Sequence, residues 1–241
     1  MTKPTAPPYL LRHNVYAALV DGIFVFLDVA ADRYSCLERR HTAMVARALG
    51  LQVIHAPGGT SATGVEMASI LTDLEANGIL TREPELGRPA RLMEKPAALR
   101  EVYAATVETP RRVGALDVAR FAKALLITKL LQRWAPFQWT VARVARRRAA
   151  CAHRAVIDET RITEVIELYR SLKPLAVTVR DECLFNALLC IEFLASYRIY
   201  PSWHFGVRLN PFYAHCWVQT GEAVYDDFAD TVGQNQPIMA V

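Results

Sequence analysis

The spacing of hydrophobic and polar positions changes several times along the chain, and each change marks an element. From Val15 to Leu37, VYAALVDGIFVFLDVAADRYSCL, short apolar runs are separated by Asp21-Gly22 and by Ala30-Ala31-Asp32, which predicts three strands. Asp-Gly tolerates positive φ and is a strong hairpin signal. The period then lengthens. HTAMVARALG predicts a helix closed by Gly50. GVEMASILTDLEANGIL predicts a second, with Val65, Met67, Ile70, Leu71, Leu74 and Ile79 as its apolar set and Asn77-Gly78 as its stop. Strands first and helices after predict a small winged-helix-like domain over residues 9–83, preceded by a proline-rich start.

Residues 84–112 hold several prolines and mixed charge and read as a linker turning helical from Leu99 to Val107, with the domain boundary between Glu83 and Pro96. The second domain, 113–241, opens with ALDVARFAKALLITKLLQRW. Apolar residues fall on most of its faces, as in a helix more buried than amphipathic. WTVARVARRRAACAHR gathers Arg143, Arg146, Arg147, Arg148 and Arg154, which reads either as a solvated helix face or as a contact for phosphate or an acidic peptide. RITEVIELYRSLKPL is an amphipathic helix stopped at Lys173-Pro174. The polar lead-in Arg180-Asp181-Glu182 then delivers Cys183 to the first turn of an apolar helix. After a break at Tyr200-Pro201, two strands follow, FYAHCWVQ and AVYDDF. The fold class is therefore α+β, a winged-helix-like domain followed by a second domain of helices and strands.

Composition narrows the options. Hydrophobic residues make up 52% of the 241 and charged residues 22%, so a sizeable core can be buried. A formal charge of +4 is too small to argue for nucleic acid, and the two N-terminal helices carry few basic residues for phosphate contacts. No apolar stretch is long enough to span a bilayer. The five cysteines form no CxxC pair, and no secretory signal is visible, which implies reduced thiols in a cytoplasm, with no nucleic-acid or membrane partner. No GxxxxGK[ST] loop and no HExxH occur. Zinc is disfavoured because His215 and Cys216 are neighbours on opposite strand faces, and Cys151-Ala152-His153 lacks a second ligand pair.

The chemistry concentrates between Val179 and Phe228. At a helix start, free N–H groups and the dipole favour a thiolate and offer donors to an oxyanion, and Asp181 can cap the turn. Cys183 is therefore the candidate nucleophile, His215 the general base, and a carboxylate on the returning strand the group that orients the imidazole. Strand alternation puts His215, Trp217 and Gln219 on one face and Ala214, Cys216 and Val218 on the other. A three-residue loop places Asp227 opposite His215, and this is preferred; a two-residue loop would place Asp226 on that face instead. Cys190 and Cys216 read as core thiols.

Two resemblances extend this reading. Asp21-Gly22, Leu27-Asp28, Tyr34 and Leu37 resemble the recognition element of pathways that modify ribosomally made peptides, the fold typified by the quinone-cofactor chaperone. The resemblance implies that a precursor's leader docks as an added strand, with Leu27, Asp28, Tyr34 and Leu37 in contact with it. Cys183-Leu184, Gly206-Val207, Pro211-Phe212, Ala214-His215, Trp217-Val218 and Asp227 closely resemble the leader peptidase of lasso-peptide biosynthesis, the B protein, of papain- and transglutaminase-like fold. What that implies is leader cleavage by a Cys183, His215, Asp227 triad, and hand-over of the core peptide to an asparagine-synthetase-like macrolactam synthetase. It also implies an ATP requirement, although no nucleotide motif is present and the residues themselves indicate no bound cofactor and no metal. A transglutaminase-type acyltransferase or deamidase, or a non-catalytic precursor-binding adaptor, are the alternatives.

Overall fold

A computed structural model describes residues 9–52, 64–102, 112–176 and 183–241. The chain forms two compact units, Met1–Glu94 with Val207–Phe212, and Lys95–Gly206 with Tyr213–Val241.

In the first unit, β2 (Val15–Val20), β3 (Ile23–Asp28) and β4 (Arg33–Cys36) form an antiparallel meander where the alternation places three strands. Val20 pairs with Ile23 across a two-residue turn in which Asp21 and Gly22 both have positive φ, 49° and 75°. That turn matches the right-handed twist of the flanking strands. α1 (Thr42–Ala48) and α2 (Gly64–Ala76) stop as expected, at Gly50 (φ 67°) and Gly78 (φ 70°). In each case a residue beyond the helix bonds back into the last turn: Leu51 N–H to the Ala46 carbonyl, Ile79 N–H to that of Leu74. A second small sheet was not legible in the sequence. It has the order β5-β1-β6, from Leu80–Thr81, Leu10–Arg12 and Gly87–Arg88, strands too short to show a period. Leu11, Phe24, Phe26, Val45, Leu49 and Leu80 anchor the core of this unit.

The second unit is a five-stranded sheet with helices. Its order is β11 (Gln236–Ala240), β8 (Ser202–Arg208), β9 (Tyr213–Thr220), β10 (Ala223–Tyr225), β7 (Arg100–Glu101), with β7 parallel to β10. The helices are α3 (Ala115–Trp134), α4 (Phe137–Cys151), α5 (Glu159–Leu172), α6 (Cys183–Ala195) and the short α7 (Ala229–Gly233). Asp158 caps α5, its carboxylate accepting the Thr160 N–H at 3.1 Å. α6 is the central element: residues 187 to 194 are all buried, and the helix packs on β9, α3 and α5.

Two expectations need correcting. Residues 84–112 are not simply a linker, because Gly87–Arg88 and Arg100–Glu101 pair into one sheet of each unit. The helix expected from Leu99 is replaced at Arg100–Glu101 by the strand β7, in which the Arg100 N–H donates to the Glu222 carbonyl at 2.9 Å; residues 103–111 lie outside the described residues. α3, expected to be more buried than amphipathic, buries only Asp117, Phe121, Ala124 and Thr128, and carries an exposed apolar stripe opposite.

Candidate active site

Cys183 opens α6, and His215 stands on β9, which α6 packs against. The buried body of α6 fixes the nucleophile's position, and the buried half of β9 fixes the imidazole. His215 Nε2–H donates to Asp227 Oδ2 at 2.6 Å. Nδ1 is then the ring nitrogen left for the thiol proton; it is buried, and with Nε2 on Asp227 it is the ring atom through which His215 and Cys183 interact. The imidazole is held flat between aromatic neighbours on its own strand face, Tyr213 at 5.9 Å and Trp217 at 6.1 Å, both near-parallel. Trp217 is fixed in turn: its indole N–H donates to Gln219 at 2.7 Å, and Gly206 clears room for the ring, since a Cβ there would fall 2.8 Å from it.

The structure brings Cys183, His215 and Asp227 together, but by a route other than the expected one. Thr220 pairs with Ala223, so the β9–β10 loop has two residues, the register for which alternation assigns Asp226 to the His215 face. The ladder ends at Tyr225, and Asp226 adopts φ 55°. This left-handed residue ends the alternation. Asp226 turns toward Lys173, 2.6 Å away, and Arg170, 3.8 Å away, while Asp227 reaches His215. Early termination has a second effect. In a two-residue hairpin, hydrogen-bonded pairs fall at alternate positions, Thr220 with Ala223 and then Val218 with Tyr225, so Cys216 would come next. With β10 gone, the Cys216 N–H is open and bonds to the sulfur of Cys183.

Electrostatics at the site favour an ion pair. The Cys183 thiol is lowered from 9.0 to about 4, chiefly by a hydrogen bond from the Cys216 side chain; burial works against ionisation, and His215 and the Cys216 N–H add to the lowering. Burial alone would discharge His215, yet hydrogen bonds to Asp227 and Cys183 together with their charges outweigh it and raise the imidazole from 6.5 to about 9. Between those limits the pair is thiolate and imidazolium, the form in which sulfur is nucleophilic and the ring can protonate a leaving amine.

Cys216 is the site residue that sequence reasoning missed. It is buried, and its thiol is held well above 9.0, chiefly by its hydrogen bond to Cys183 and further by burial. It therefore stays a neutral donor to its ionised neighbour. Only its adjacency to His215 and the point where β10 stops could have pointed to it. Cys190, expected to be a core thiol, is fully buried and raised by that burial. Asp181, proposed as the cap, lies outside the described residues.

The arginine cluster is partly spent inside the fold. Arg143 and Arg147 both donate to the buried Glu192 carboxylate on α6, at 2.8 and 2.7 Å. That leaves Arg146 and Arg148 exposed on α4. Among the described residues no group of three or more His, Cys, Asp or Glu stands where it could hold a metal ion.

In the first unit a groove runs between β4, the last strand of its sheet among the described residues, and the end of α2, lined by Arg33, Ser35, Cys36, Leu37, Leu74 and Asn77 among others. Of the four residues expected to touch a leader, only Leu37 lines it. Leu27 has no accessible surface. Asp28 holds the β3–β4 turn instead, accepting from Asn14 at 2.5 Å and from the Ala30 N–H at 2.9 Å. Tyr34 pairs with Leu27, so it lies on the face away from the groove, its ring edge-on to Phe212 at 5.7 Å.

Residues 124–240 match the family model of the transglutaminase-like superfamily. No curated protein and no solved structure matches the chain. Residues 124–240 are thus a transglutaminase-like domain, and the matched segment holds Cys183, His215 and Asp227.

Proposed function

We propose that this transglutaminase-like domain is a cysteine peptidase that cuts the leader from a lasso-peptide precursor, and that the first unit binds the leader. The observation that carries the reading is the 2.6 Å bond between His215 and Asp227 beside a Cys183 thiol lowered to about 4. The Cys183 thiolate attacks the carbonyl of the amide joining leader to core. Charge developing on that oxygen is met by N–H groups at the start of α6. Protonated His215 gives its Nδ1 proton to the departing amine, which becomes the new amino terminus of the core. The ring, held by Asp227, then takes a proton from water, which attacks the thioester, and collapse of the adduct frees the leader's carboxylate and restores the thiolate.

Support for the leader site comes from β4, the last strand of its sheet among the described residues, beside a groove that includes Leu37, Leu74 and Cys36, a setting in which an extended peptide can add as a strand. The freed core would pass to an asparagine-synthetase-like macrolactam synthetase, and the ATP requirement implied by the resemblance falls to that step or to cleavage.

The test is incubation of a cognate precursor with wild type and with Cys183→Ala, with synthetase and ATP each present or absent, read by mass spectrometry. Release of a free leader by wild type alone is expected. Cleavage by both proteins would remove Cys183 as nucleophile. Amine-coupled product in place of the free acid would indicate acyl transfer. A precursor that stays bound and uncut under every condition would indicate an adaptor.

A further inference from the structure

The exposed side of α3 has no role in the site described. The helix has 20 residues and so runs for about 30 Å. Opposite its buried face, positions Leu116, Lys123, Leu126, Leu130 and Trp134 follow one another at helical spacing. Leu116 is 63% exposed, Leu126 59% and Trp134 73%. Trp139, in the first turn of α4 just beyond the connection, is 65% exposed. Large side chains this accessible, in a row, are unusual for a free surface.

The exposed charges of α3 and of α4 are of one sign. Asp117, which is buried, is the sole acidic residue of α3, and α4 has none. Lys123, Lys129 and Arg133 on α3, and Arg146 and Arg148 on α4, are exposed cations. The Arg133 guanidinium lies over the Trp134 ring, 4.7 Å from its centre. An occupant of this face must therefore be apolar at its centre and anionic around it. A second copy of the chain would set these cations against themselves. The helix-in-groove mode does not fit, because this is a convex helix face with only a shallow depression at Lys129, Leu130, Arg133 and Trp134.

We propose that the exposed face of α3, with Trp139, is a docking surface for an anionic lipid membrane. Leucines and tryptophans enter the boundary between headgroups and acyl chains, and the lysines and arginines pair with lipid phosphates. No described helix is long and apolar enough to cross a membrane, and surface binding does not need one. The sequence pattern implied no membrane partner because the stripe is separated from the buried face only once α3 has folded against α6.

The experiment is co-sedimentation of the full chain with vesicles of phosphatidylcholine containing phosphatidylglycerol, and with phosphatidylcholine alone. Binding to the anionic vesicles is expected, weakening as salt rises, with a blue shift in tryptophan emission that Trp134→Phe diminishes. Each surface cation contributes about five-fold to partitioning, so Lys123→Glu with Lys129→Glu is expected to reduce it at least about 25-fold. Leu126→Ser and Leu130→Ser should each reduce it about ten-fold. Far-UV circular dichroism and unchanged Cys183 alkylation show that the variants remain folded. Three results would overturn the proposal: no partitioning of wild type into anionic vesicles at low salt, partitioning indifferent to these substitutions, or a stripe-dependent dimer or acidic-peptide complex that forms without lipid binding.

Discussion

The ionisation state of Cys183 is open to a direct test, because Cys36 provides a control on the same chain. Cys36 is exposed and its thiol is raised from 9.0 by burial, whereas Cys183 is lowered to about 4. At pH 5 a thiol of pKa 9.0 is about one part in 10⁴ ionised, while Cys183 is about nine-tenths ionised, an advantage of about 10⁴ in thiolate. A weaker base is also a weaker nucleophile, by about 0.4–0.5 log units per pKa unit, so five units cost about 100- to 300-fold. The net expectation is that Cys183 reacts with iodoacetamide about 30- to 100-fold faster than Cys36 at pH 5. At pH 7 the thiolate advantage shrinks to about 100-fold and the two effects nearly cancel, so neutral pH does not discriminate. Peptide-resolved mass spectrometry after timed quenching reads both sites in one reaction. The Cys183 rate should stay level from pH 8 down to pH 5 and fall only as pH approaches 4. His215→Ala should bring its low-pH reactivity toward that of Cys36. A Cys183 rate that drops about ten-fold per unit below pH 8 in parallel with Cys36 would refute the ion-pair assignment.

Four further outcomes are expected. Cys216→Ala removes the largest cause of the lowered Cys183 thiol, so the low-pH limb of the alkylation profile should move upward in pH while the fold is kept. Gly206→Ala drives a Cβ into the Trp217 ring and should cost about 1–3 kcal/mol in urea unfolding. Because Trp217 stacks on His215, it should also slow precursor cleavage. Removing Arg143 and Arg147 together strands the Glu192 carboxylate, 2% exposed, and should cost about 3–5 kcal/mol. Adding Glu192→Leu to that variant should restore much of the loss, as read by denaturant midpoints. Lys173→Met leaves Asp226 facing Arg170 alone at 3.8 Å. The already raised Asp226 carboxyl should rise further, so stability should fall as pH is raised from about 3.8 and go on falling to a higher pH than in wild type when pH-dependent unfolding curves are compared.

Local signals were read correctly where one rule acts alone. Asp21-Gly22, Gly50 and Asn77-Gly78 determine a turn and two helix ends because left-handed backbone needs such residues, whatever surrounds them. Four short strands, β1, β5 and β6 in the first unit and β7 in the second, carry no period in two or three residues and exist only through their pairing partners. α3 was misjudged for a different reason. Its apolar residues lie on two sides, and composition cannot say which side the core takes. The leader-contact residues were assigned by motif, and burial removes Leu27 from consideration while the turn occupies Asp28.

The site itself depends on a conflict between two rules, which is why alternation could name either aspartate but not the route to it. Hairpin register would direct Asp226 to the imidazole. Asp226 instead lies at the end of α5, near Cys190 and Tyr169 and bonded to Lys173. An ionised carboxylate held at this depth needs a cation, and Lys173 and Arg170 are the cations within reach, so the backbone bends through φ 55° to meet them. Aspartate tolerates that conformation better than most residues. The bend shifts the face of the next residue, which puts Asp227 on His215, and it ends β10 early, which frees the Cys216 N–H for Cys183. One ion pair outside the catalytic contacts thus settles which carboxylate orients the histidine and which backbone donor reaches the sulfur.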